Sequence, residues 1–84
     1  MIKLQHKSGR ATHALWTLEA VERATARNEY GFAPEYQSGE FRRAQNLKQA
    51  GLIEHIRGPR GGARYIITDA GREALAKARA VEPS

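Results

Sequence analysis

The 84-residue chain predicts a mostly helical α+β fold, three to four helices carrying a two- or three-stranded antiparallel hairpin sheet. Three observations lead there. Leu15, Leu18, Val21 and Ala24 or Thr25 recur at three- and four-residue spacing, as do Phe41, Ala44 and Leu47, so two segments each present one apolar stripe to a core. Gly51 follows the second stripe directly, at the position where a left-handed residue ends a helix. Two short apolar runs, 52–56 and 65–68, then bracket Gly58, Pro59, Gly61 and Gly62, the composition of a hairpin connection.

Taken in order, residues 1–11 hold one alternating segment, Ile2 to Leu4, and then the polar run His6-Lys7-Ser8-Gly9-Arg10. A flexible arm is expected, with Lys7 and Arg10 available for an extra phosphate contact. The domain proper spans 12–81. Thr12 suits an N-cap, because its hydroxyl can accept an orphan N–H of the opening turn, and the helix should run to about Asn28. On its polar side an i,i+4 pair of Glu19 with Arg23 would add only ~0.3 kcal/mol. Between 29 and 37, Gly31 and Pro34 interrupt any long element while Tyr30, Phe32 and Tyr36 look for burial. Pro34 at a first helical position allows a short second helix starting near Ala33 or Pro34.

Ser38 is the expected cap of a helix over 38–50. Phe41, Ala44 and Leu47 face the core, while Arg42, Asn46 and Gln49 point outward, flanked by Ser38, Gly39, Arg43 and Gln45. Strands over 52–56 and 65–68 are joined by 57–64, whose glycines favour a long flexible loop over a tight two-residue turn. Thr68 opens a last helix reaching about Ala80, with Ala70, Ala74, Leu75, Ala78 and Val81 as an alanine-lined stripe. Residues 82–84 form a tail.

The charge narrows the function. Fourteen Lys and Arg against nine Asp and Glu leave +5, and the excess is local. Between 42 and 64 lie Arg42, Arg43, Lys48, Arg57, Arg60 and Arg64 against Glu54, so 6 − 1 gives +5 and the remainder is neutral. A polyanionic partner fits this distribution. The absence of cysteine removes disulfides, thiolate metal sites and cysteine nucleophiles. His6, His13 and His55 share no ligand spacing, and no serine sits in a nucleophile elbow, so neither a metal, a cofactor nor an enzyme activity is expected. Trp16 and the tyrosines read as core or interface packing rather than base stacking. With no membrane-length apolar run and no signal-peptide core, a cytoplasmic protein is expected.

Two segments resemble the winged helix-turn-helix domain of small bacterial transcriptional regulators of the MarR-like and PadR-like kind. Leu47-Lys48-Gln49-Ala50-Gly51-Leu52-Ile53 is similar to that family's L-x-x-x-G-L-I exit from its recognition helix. Tyr65-Ile66-Ile67-Thr68-Asp69-Ala70-Gly71 with Leu75 is similar to its closing strand and helix. The resemblance covers about 12–80 and departs in two places: only 29–37 is available for the helix that usually precedes the recognition helix, and the family's long terminal dimerisation helices have no counterpart apart from 68–80.

The resemblance implies double-stranded DNA binding, with the helix over 38–50 in the major groove and the wing over 57–64 on the backbone or minor groove. Arg42 is then the first candidate for a base edge, Asn46 the second, and Gln49 shares their face. Ser38, Arg43 and Lys48 are candidates for phosphate, as are Arg57 and Arg64 flanking the wing; Arg60 at its tip suits a narrowed minor groove. A homodimer through the alanine face of the last helix is the expected assembly. The alternatives are a winged-helix protein-interaction module, such as a phage or mobile-element adaptor or inhibitor, and an RNA- or ribosome-binding domain.

Overall fold

Thr12 begins the first helix as expected: its Oγ1 accepts the Leu15 N–H at 3.3 Å. The computed structural model describes residues 4–5, 12–34 and 39–80. They form α1 (His13–Arg27), α2 (Gly39–Gln49), β1 (Ile53–Arg57), β2 (Ala63–Ile67) and α3 (Asp69–Ala80). The fold is thus a small, mostly helical α+β arrangement of three helices and one two-stranded antiparallel sheet. Leu15, Leu18 and Val21 are buried along α1. Further along, the Thr25 hydroxyl donates to the Val21 carbonyl (2.7 Å) and accepts the Ile67 N–H (3.0 Å). A helix side chain thereby satisfies a backbone donor on the outer edge of β2.

The segment after α1 departs from expectation. The Asn28 carboxamide oxygen accepts the Tyr30 N–H at 2.9 Å, turning the chain back. Gly31 follows at φ 67, where a Cβ would collide with the Tyr65 carbonyl oxygen. Only glycine allows this approach. Phe32 then exchanges both backbone hydrogen bonds with Tyr65, at 2.7 and 2.9 Å, as an isolated antiparallel bridge on the free side of β2. The fourth helix expected near Ala33 or Pro34 is not formed at those two residues, because the chain up to Phe32 is committed to extended pairing; 35–38, with Tyr36 and Ser38, lie outside the described residues.

α2 ends as its glycine dictates. Gly51 adopts φ 80, its N–H donates to the Lys48 carbonyl, and the Leu52 N–H donates to the Leu47 carbonyl, both at 3.0 Å. That pair of bonds is the Schellman closure of a helix, and it carries Leu52 onto the core. Thr68 locks the same corner. Its hydroxyl donates to the Gly51 carbonyl (2.7 Å) and accepts the Gly71 N–H (3.1 Å), and its own N–H donates to the Leu52 carbonyl (3.1 Å). One threonine therefore caps α3 and ties it to the end of α2.

The hairpin register pairs Ile53 with Ile67, His55 with Tyr65 and Arg57 with Ala63. Both strands are longer at the tip than expected, and the connection is short. The Gly61 N–H donates to the Gly58 carbonyl (3.0 Å) and the Gly58 N–H to the Gly62 carbonyl (2.9 Å), closing a three-residue turn over 59–61. The long flexible loop expected over 57–64 is corrected accordingly. Pro59 fixes the first turn dihedral and Gly61, at φ 79, takes the left-handed position, so local chemistry favours a compact turn.

α3 packs through Gly71, Leu75 and Ala78, not through Ala70, which is exposed; Val81 lies outside the described residues. A Cβ at Gly71 would collide with the Leu52 carbonyl oxygen, so this turn of α3 lies against backbone. Leu18, Val21, Leu47, Ile53, Tyr65 and Leu75 form the fully buried centre. Of the N-terminal arm, Leu4 packs on this core and the Gln5 amide donates to the Ala78 carbonyl at 2.9 Å.

Candidate nucleic-acid interface

α2 is held from both flanks by neutral oxygen acceptors. On one side the Arg43 Nε donates to Thr17 Oγ1 of α1 at 3.2 Å, and that hydroxyl donates in turn to the His13 carbonyl at 2.9 Å. On the other, the Gln45 amide nitrogen donates to the Tyr65 hydroxyl of β2 at 2.6 Å. Tyr65 is completely buried and its ring meets the His55 ring edge-on, with centroids 5.5 Å apart. Burial pushes the Tyr65 hydroxyl above its usual range, with the Gln45 contact opposing, so the group stays neutral.

Between these two ties Arg42, Asn46 and Gln49 face solvent, with Lys48 exposed beside them, as expected. Arg43 is half-buried and partly engaged with Thr17, which leaves the rest of its guanidinium for an outside acceptor. Ser38 lies outside the described residues.

Strand alternation separates the two arginines flanking the turn. The pairing of Arg57 with Ala63 puts Arg57 on the face that carries Ile53, His55 and Tyr65, the face tied to α2. Arg64, paired with Ile56, points to the opposite face, and its side chain lies across Gly58. Arg60 occupies the third position of the Gly58–Gly61 turn and is exposed at the tip. Arg42, Asn46, Gln49 and Arg57 thus belong to elements that leave one corner at Gly51 and are joined again at Gln45–Tyr65; Arg64 is set apart.

The electrostatics differ from one side of the molecule to the other. Arg79 of α3 meets Glu22 at 2.7 Å and Glu19 at 3.8 Å, both on α1, and Arg72 meets Asp69 at 3.8 Å within α3. Glu19 therefore faces Arg79 and not the expected Arg23. Arg79 holds the Glu22 carboxyl below its ordinary range, chiefly through the hydrogen bond. Among the described residues none of Arg42, Arg43, Lys48, Arg57, Arg60 and Arg64 is in an ion pair.

Sequence reasoning missed the positioning roles of Thr17, Gln45 and Tyr65. Helical phase placed Gln45 on the flank, which was the available signal; nothing local pointed to Tyr65 as its partner. Trp16, expected in core or interface packing, is not in the core: it is 56% exposed on α1. Comparison of the chain with protein-family models, curated proteins and solved structures finds no match. Among the described residues no helix is long and apolar enough to cross a membrane, and no group of three or more metal-ligating side chains gathers.

Proposed function

We propose that this chain is a winged helix-turn-helix protein of the small bacterial regulator type that binds double-stranded DNA. In this reading α2 enters the major groove, Arg42 and Asn46 read base edges, and Gln49 assists them. Lys48, Arg43 and Ser38 hold phosphates beside the groove. The hairpin is the wing: Arg57 grips the backbone on the α2 side, Arg60 reaches the minor groove, and Arg64 holds a phosphate from the other face. Leu75 and Ala78 of the alanine stripe are buried in the core, so a homodimer through α3 would use the residues of that helix left exposed and would place two such surfaces on half-sites about 34 Å apart.

The observation that carries the reading is the segregation of charge. Among the described residues, six cations on α2 and the hairpin stand without ion pairs, while the pairs that form lie on α1 and α3. Unpaired guanidinium groups gathered on adjacent elements repel one another, and a polyanion relieves that repulsion.

Salt titration tests it. Neutralising about four to six phosphates gives a slope of log K against log salt of roughly −4 to −5 on duplex DNA. A flat slope, with tight binding to a protein instead, would favour the protein-interaction alternative. Once a preferred duplex is selected from a random pool, Arg42→Ala should cost ~1–3 kcal/mol on that duplex and much less on random sequence. Arg60→Ala should weaken both alike and reduce the slope by about 1. Equal losses on both duplexes for Arg42→Ala remove its base-reading role.

A further inference from the structure

We infer that the outer stripe of α1 is a second nucleic-acid contact, one that takes a single strand: Trp16 stacks an unpaired base while Arg23 and Arg27 hold its neighbouring phosphates. At about 100° per residue His13, Trp16, Ala20, Arg23 and Arg27 fall within about 80° of one another, on the side of α1 opposite Leu18. Trp16 is the exposed large apolar side chain of the described residues. His13, one turn earlier, lies with its ring centroid 5.1 Å from the indole in a tilted contact at 54°, and Trp16 is still 56% exposed. Ala20 keeps the stripe low between the aromatic and the cations.

Arg23 and Arg27 are both exposed and neither is in an ion pair among the described residues. Glu19, the i−4 neighbour of Arg23, meets Arg79 instead. From Trp16 to Arg27 the stripe runs about 16 Å along the helix. An exposed π-face followed by unpaired guanidinium groups is the combination that holds single-stranded nucleic acid, since every base offers a face to stack and every linkage a charge. An acidic protein would use the arginines and leave the indole without a planar partner. Double-stranded DNA cannot use it either, because its bases are already stacked. The site does not depend on duplex binding through α2.

Trp16 is the sole tryptophan of the chain, so its emission reports the site directly. The full chain is titrated with a single-stranded oligothymidine of about ten nucleotides, with poly-L-glutamate and with a blunt duplex. Oligothymidine should quench Trp16, and Arg23→Ala/Arg27→Ala should reduce the magnitude of the salt slope by about 1.4. By anisotropy of a labelled strand, Trp16→Ala should weaken binding roughly 5- to 150-fold, with Trp16→Phe recovering most of the loss. Arg42→Ala/Arg60→Ala should leave the quenching in place while lowering duplex affinity, which separates this site from the α2 surface. Absence of quenching, equal quenching by poly-L-glutamate, or loss of quenching in Arg42→Ala/Arg60→Ala would each overturn the inference.

Discussion

The α1–α3 side and the α2–hairpin side of this molecule are both fastened to one core, but by different means. Where α1 meets α3, carboxylates and a guanidinium are matched, with Arg79 serving both Glu22 and Glu19. Where α2 meets its neighbours, the fastening uses Thr17 and Tyr65 hydroxyls, the Gln45 amide and the Gly51 closure. From 39 to 67 its six cations against Glu40 and Glu54 give 6 − 2 = +4, and among the described residues none of those cations is in an ion pair. Where α1 meets α3 the charges are matched internally; the α2–hairpin side fixes its geometry with neutral acceptors and, among the described residues, keeps its cations unpaired, as does the outer stripe of α1 at Arg23 and Arg27.

The sharpest way to break this comparison is to spoil the backbone approaches that bring the two sides together. Gly31 and Gly71 each lie against a carbonyl oxygen, of Tyr65 and of Leu52, with no room for a Cβ. Gly31 besides sits at φ 67, a backbone conformation that strains any residue with a Cβ. Alanine at either position should cost about 3 kcal/mol or more, by collision at both and by added backbone strain at Gly31, visible as a large drop in urea midpoint. Such a loss is a large fraction of the stability of a domain this small. An unchanged midpoint for Gly71→Ala would mean that α3 does not rest on Leu52.

These two glycines also mark what could be read from the sequence. Thr12, Gly51 and Thr68 act within a few residues, through a cap, a left-handed stop and another cap, and each was legible. So were the inner face of α2 and the concentration of positive charge between 42 and 64. The purpose of Gly31 was not legible, because the Tyr65 carbonyl that requires it comes from 34 residues further on. The turn over 59–61 was misjudged for a related reason: its length depends on the pairing of Arg57 with Ala63, which follows from cross-strand register and not from composition. The same holds for Arg57 and Arg64, whose opposite facing is invisible until the register is known. Exposure of Trp16 is likewise a property of how α1 is covered, and Arg79 finds Glu22 across 57 residues.

Gly51 sharpens the comparison at a middle scale. Nothing lies within 4 Å of a Cβ placed there, so only the backbone conformation at φ 80 opposes substitution. Gly51→Ala should therefore cost about 1–2 kcal/mol, less than Gly71→Ala. Tyr65→Phe comes next. It keeps the ring in the core and deletes the hydroxyl that accepts from Gln45, a change of about 1 kcal/mol in stability. If Gln45–Tyr65 sets the angle between α2 and the hairpin, duplex affinity should fall by more than this stability loss accounts for. Equal affinity in Tyr65→Phe would leave the hydrogen bond a purely structural tie.

The smallest effect belongs to the ion-paired side, and it is the one with a pH signature. Arg79 is about half exposed, at 54%, and Glu22 about a third, at 30%, so solvent screens the pair despite its 2.7 Å contact. Arg79→Ala should cost about 0.5 kcal/mol near neutral pH. Because the folded state holds the Glu22 carboxyl below its ordinary value, this contribution is complete above the usual carboxylate range and disappears as pH falls through the lowered value. Urea midpoints of the parent and of Arg79→Ala should therefore differ at pH 7 and converge towards pH 3. The same titration on Arg42→Ala should show no such convergence, because Arg42 has no carboxylate partner among the described residues. A pH-dependent difference there would mean that the cationic side is internally paired after all, and the contrast between the two sides would be lost.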